Sequence, residues 1–252
     1  MIGWIVILAA LGFLFAFFAY LLNQRRQRVT LCVGYTRTGK DTLYSDFRSN
    51  DAFVTSLDTS DDEYKEVRWY VYSLKGEEPE LSGNMVRVGF ADALKEDACK
   101  SLGLRGSWID YEAEKNTKMV IDPFSLDTIT LRQYYIVFGQ RAKEEHGESI
   151  WARRAFATWA GTNHHLFACD TRFFVELFAA MKIDDKPQTI RLFRSEVPIP
   201  VPVKDGGYDS EHSLDILTTK FLFVADKDRD FKKAVELWPQ YKNYVCKWKI
   251  VI

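Results

Sequence analysis

The stretch from Arg28 to Phe47 constrains the fold more than any other part of this chain. Residues 28–33 (RVTLCV) are β-branched and apolar, the pattern of a short strand buried on both faces of a parallel sheet. They run into Gly34-Tyr-Thr-Arg-Thr-Gly-Lys-Asp-Thr42, and a helix is predicted from Asp41 to about Phe47. Gly34-x4-Gly39-Lys40 is the spacing of a P-loop, which wraps backbone N–H groups around a phosphate. In such a loop Lys40 reaches the β- and γ-phosphates, and the following helix N-terminus adds partial positive charge. Asp41 stands where Ser or Thr usually ligates Mg²⁺, and Thr42 comes next. A carboxylate ligates Mg²⁺ directly or through water, so both are candidate metal ligands. The alternative is a Gly-rich turn that merely contains a lysine.

Downstream, strands are predicted at residues 67–74, 86–90, 164–169, 188–193 and 220–225. Helices are predicted at about 91–102, 126–145, 150–159, 173–181 and 231–238. Strands alternating with helices point to a parallel sheet covered on both faces. The chain of 252 residues carries a net charge of −1, which makes no electrostatic case for nucleic acid as a partner. Cys32, Cys99, Cys169 and Cys246 form no CxxC pair and read as reduced, buried thiols. His164 and His165 are adjacent on a strand, so they point to opposite faces and do not share a metal.

Before the loop, Ile2 to Leu22 is an uncharged apolar run, long enough to cross a bilayer core of about 30 Å as a helix. Trp4 and Tyr20 lie near its ends, and Gln24-Arg-Arg-Gln-Arg28 follows it. The arginines place the C-terminal side in the cytosol. A cleaved signal peptide needs basic residues before the run, where only Met1 stands. The expected organisation is a membrane anchor and basic segment at 1–28, then one α/β domain at 29–252.

Gly39-Lys-Asp-Thr42 resembles the loop of the deoxynucleoside monophosphate kinases of phages and large DNA viruses. Phe90-Ala-Asp-Ala-Leu-Lys95 is similar to that family's FADPLK segment. Arg132, Gly139, Gly147 and Trp151 match its R…G…G…W pattern, and Asp170-Thr-Arg-Phe-Phe-Val-Glu176 its DxRFxxE segment. Ser210-Glu211 with Leu214-Asp215 resembles its SE…LD segment, and Phe221 to Asp226 its last strand. The resemblance covers about residues 29–240. It implies a P-loop kinase three-layer αβα fold with a mostly parallel sheet, to which the N-terminal transmembrane helix is added.

The resemblance also implies roles. Gly34, Gly39, Lys40, Asp41 and Thr42 would hold ATP and Mg²⁺, with Asp170 near the metal. Lys40, Arg132, Asp170 and Arg153 would be catalytic, with Arg132 holding the acceptor phosphate or the developing charge, and Asp92, Lys95, Arg132, Arg141 and Arg172 would border the monophosphate. Arg153 and Arg154 would belong, with Arg141, to a mobile lid. Each has a plainer reading: helix arginines are usually solvated or ion-paired, and Asp92 can serve only as an N-cap. Phosphoryl transfer relies on positioning and charge neutralisation, which explains the recurrence of Lys, Arg and Mg²⁺.

The chain departs from the family at Ala93, Ile136, Glu144 and Asp209, which replace Pro, Gln, Arg and His. Residues 51–84 are extra and acidic; they either repel nucleotide or form a solvated insertion. The leading expectation is a membrane-anchored kinase that transfers the ATP γ-phosphoryl group to a (deoxy)nucleoside monophosphate. The alternative is a structural protein on a borrowed kinase fold, such as a membrane-anchored minor capsid protein with capsid or membrane-protein neighbours. A third is a kinase for a non-nucleotide acceptor such as phosphomevalonate.

Overall fold

The computed structural model describes residues 27–35, 37–59, 66–81, 84–200 and 212–252. All five residues of β1 (Val29–Val33) are buried, and they alternate between two cores. Val29 and Leu31 join Leu166, Ala168 and the helices α2 (Phe90–Ser101), α4 (Ile150–Ala157) and α5 (Phe174–Ala180). Cys32 faces the other way, toward α1 (Lys40–Arg48). That helix buries Leu43, Tyr44 and Phe47, a stripe at helical spacing. Each such side chain contributes about 1.5–3 kcal/mol by leaving water.

The main sheet has eight strands. Besides β1 they are β2 (Phe53–Ser56), β3 (Val67–Ser73), β4 (Met85–Val88), β7 (His165–Ala168), β8 (Gln188–Phe193), β9 (Phe221–Val224) and β10 (Val245–Val251). Their order is β2-β10-β3-β9-β8-β1-β7-β4. The stretch from β9 to β4 is parallel. The pairings of β2, β10, β3 and β9 are antiparallel. A last helix, α6 (Arg229–Leu237), packs Ala234 on Leu222 and Val224 of β9.

Two shorter strands, β5 (Met119–Ile121) and β6 (Thr128–Thr130), form a separate antiparallel hairpin before α3 (Leu131–His146). The helix expected from Leu126 therefore starts later. The reason is local: the Thr130 hydroxyl accepts from Gln133 N at 3.2 Å, and the Gln133 side chain accepts from Thr130 N at 2.9 Å. This reciprocal cap fixes the first turn at Leu131.

The expected P-loop kinase fold with a transmembrane helix is corrected to the coarser class: α/β, with a mostly parallel eight-stranded sheet and six helices among the described residues. A P-loop fold is not established by this architecture. Its antiparallel wing includes β2 and β3, so the stretch 51–84 supplies sheet strands and is not a solvated insertion. Strand β10, which no expectation foresaw, inserts between β2 and β3. No described helix is long and apolar enough to cross a membrane. The span expected at residues 2–22 lies outside the described residues.

Candidate functional site

Taken in chain order, the parallel strands run from β1 to β4 and β7 on one side, then to β8 and β9 on the other. The order thus reverses at β1, and ligands of open α/β sheets bind at the carboxyl ends of strands near such a reversal. The segment that leaves the carboxyl end of β1 is the glycine loop.

Both loop glycines are needed. A Cβ on Gly34 (φ +158) would lie 2.8 Å from Thr38 Oγ1 and 3.1 Å from Leu192 O. Gly39 (φ 96, ψ 23) is left-handed and is the N-cap of α1, a conformation that favours glycine. The Lys40 ammonium turns back onto its own loop, donating to Gly34 O at 2.5 Å and Tyr35 O at 2.8 Å. Asp41 and Thr42 are exposed on the first turn of α1. Tyr35 is buried, and its hydroxyl donates to Asp215 Oδ2 at 3.0 Å.

Beside the loop, Arg87 at the end of β4 joins two predicted carboxylates. Its Nε donates to Asp41 Oδ1 at 3.1 Å, and its Nη1 pairs with Asp92. Burial works against the Arg87 cation, but Asp92 and Asp41 outweigh it and raise its pKa. Asp170, just past β7, accepts from Phe90 N at 3.2 Å and Ala91 N at 3.5 Å. Asp170 therefore caps α2 from the end of the adjacent strand, whereas Asp92 sits inside the first turn and does not cap it. Burial raises the Asp170 pKa; the Phe90 N–H opposes that rise.

The remaining predicted residues have other engagements. Lys95 pairs with Glu112 at 3.1 Å and lies 4.1 Å from the centre of the Trp108 ring. Arg132 is exposed and donates to Asn116 Oδ1 at 3.4 Å. Arg141 holds Asp122 in a fork at 2.9 and 3.0 Å, which keeps the Asp122 pKa low. Arg154 pairs with Asp97 at 2.6 Å. Arg172 is exposed, and its backbone N–H donates to Glu176 at 2.6 Å. Arg153 is displaced from the expected lid: it donates to His146 O at 2.8 Å and lines a cleft with Gln27 and Asn163. Those two residues precede β1 and β7, so Arg153 borders the amino ends of the strands, opposite the loop.

Sequence reasoning missed the buried arginine that supports the loop. Arg191 is fully buried in β8 and donates to Asp215 Oδ1, Tyr241 Oη and Leu217 O, at 3.2, 3.1 and 3.2 Å. His212 Nδ1 lies 2.7 Å from Asp215 Oδ2. Asp215 thus ties Tyr35 of the loop to β8 and to segment 212–217. A usable signal existed: an arginine inside the apolar run QTIRLF must find a partner if that run is a central strand. The four cysteines are free, with Cys246 half-buried and the others buried. His165 bonds Thr30 Oγ1 at 2.7 Å, and His164 bonds Asn84 Oδ1 at 3.1 Å.

No family model matches this chain, and no curated protein matches its sequence.

Proposed function

We propose that loop 34–42 binds the phosphates of ATP and that the domain transfers the γ-phosphoryl group to a (deoxy)nucleoside monophosphate. One observation carries the reading: the glycine loop leaves β1 where the strand order reverses and opens directly into α1 at Lys40. On binding, Lys40 exchanges its two carbonyl contacts for phosphate oxygens. The donor set for a metal is all hard oxygen, from Asp41, Thr42 and Asp170. That fits Mg²⁺, which takes one or two carboxylates along with substrate phosphates. Bound there, Mg²⁺ would supply charge neutralisation on the phosphates. The acceptor is itself an ionised phosphate, so no strong general base is required. Arg87 keeps Asp41 in place on the first turn of α1.

The test is ADP release by the full chain with Mg-ATP and a panel of nucleoside and deoxynucleoside monophosphates. Turnover with at least one acceptor is expected, and Lys40→Ala should abolish it. No turnover with any acceptor, or turnover that survives the substitution, refutes the proposal.

A second reading is a structural role without catalysis, such as that of a minor capsid protein. It is favoured by the engagement of two expected acceptor groups elsewhere, Arg141 with Asp122 and Lys95 with Glu112, and by the place of the expected lid residue Arg153 at the opposite end of the strands. Stoichiometric presence in purified particles, with no nucleotide binding by calorimetry, would support it over the kinase.

A further inference from the structure

We infer that Arg194 is a second phosphate-binding cation of the loop, held in position by stacking on Trp69, and that it meets the polyphosphate of the bound nucleotide. The inference rests on the reading of loop 34–42 as a triphosphate site.

Arg194 follows β8 directly, at the carboxyl end of the strand that pairs with β1. Its guanidinium lies against the loop: a Cβ built on Gly39 would stand 3.6 Å from Nη2 and 3.8 Å from Nε. The same Cβ would stand 3.4 Å from Cζ2 of Trp69. Trp69 is fully buried in β3, and the Arg194 guanidinium carbon lies 4.8 Å from the centre of its ring. An arginine stacked on an indole loses little further freedom when it takes up an anion.

The charge balance singles out Arg194. Arg87 is shared by Asp41 and Asp92, and Lys40 donates to two carbonyls. Among the described residues, Arg194 pairs with the Glu196 carboxylate, at 3.5 Å and 75% exposed, a contact that water screens. Asp46 also feels Arg194, but Arg68 acts on it more strongly. Among the described residues, Arg194 Nε is buried without a hydrogen-bond partner. A buried donor without a partner beside a glycine loop is satisfied when an oxyanion enters. Trp69 comes from the stretch 51–84, so the antiparallel wing has a task at the site: it is the platform for this arginine.

Calorimetric titration of the full chain with Mg-ATP, inorganic tripolyphosphate and AMP tests the inference. Arg194→Gln is expected to weaken Mg-ATP and tripolyphosphate binding by roughly tenfold to a hundredfold, the worth of one charge-assisted contact. AMP binding should change little. Unchanged tripolyphosphate binding, with Lys40→Ala still abolishing it, would overturn the role of Arg194 and leave the loop reading intact. No polyphosphate binding by the wild-type chain would overturn both. An equal loss for AMP would mean general disruption and would also overturn it. If the glutamine variant melts early, Arg194→Lys is read instead. It keeps the charge but not the planar stack, and several-fold weaker Mg-ATP binding is expected; wild-type affinity would refute the inference.

Discussion

Glu176 offers a sharp test of the packing around the strand ends. Its side chain is buried on α5, and one carboxyl oxygen accepts from Arg172 N at 2.6 Å and Phe173 N at 2.9 Å. Burial pushes its pKa from the ordinary 4.5 up to about 8, against the pull of those two N–H groups. The folded state therefore holds a proton that the unfolded state has released between pH 4.5 and about 8. With fewer protons bound in the unfolded state, stability falls as pH rises through that window. The stabilising contribution is complete below pH 4.5 and lost above about 8. The gap in pKa corresponds to at most about 5 kcal/mol. Glu176→Gln keeps the acceptor oxygen and the shape but cannot ionise. It should match the wild type near pH 4 and exceed it increasingly from pH 5 to 8. In a domain of this size each kcal/mol shifts the melting temperature by about 2–4 °C. The assay is thermal or urea unfolding of both chains across that pH range. A difference curve that is flat, or that favours the wild type as pH rises, refutes the argument that burial dominates the N–H contacts.

Gly34→Ala should destabilise the domain by about 1–3 kcal/mol, because its Cβ meets Leu192 O at 3.1 Å, a backbone atom that cannot swing aside. Denaturant unfolding measures it, and nucleotide binding should fall in parallel. Arg191→Leu leaves Asp215 without its buried cation and should cost about 3–5 kcal/mol. Limited proteolysis should then cut more readily near segment 212–217, which Arg191 holds through Leu217 O and Asp215.

Much of the local structure was legible. Strand β1, the glycine loop and helix α1 follow from short-range rules: an apolar β-branched run, two glycines at positive φ, and a buried stripe at helical spacing. The strand starting at Val67 was also readable from its own composition, and so was the helix after β4, which opens at Phe90, a residue expected to end the strand. Where local reading failed, the cause was near at hand too. The helix expected from Leu126 starts at Leu131, because Leu126 has a positive φ (63°) and the Thr130–Gln133 cap sets the first turn, which leaves 128–130 to the hairpin.

The candidate site divides along the same line. The spacing of its glycines was legible in the sequence, and the left-handed turn at Gly39 is a local demand, but Gly34 is also held to glycine by Leu192 O of β8. Its side-chain partners were decided by tertiary structure. Arg87 reaches Asp41 and Asp92 only because β4 and β7 lie in register beside β1. Asp170 caps α2 from the turn after β7, far along the chain. Trp69 supports Arg194 because β10 returns to pair with β3 and fixes that strand at the edge of β9. Strand pairing joins residues that no local pattern connects, and a one-residue change of register would send Arg87 and Trp69 to the opposite face of the sheet.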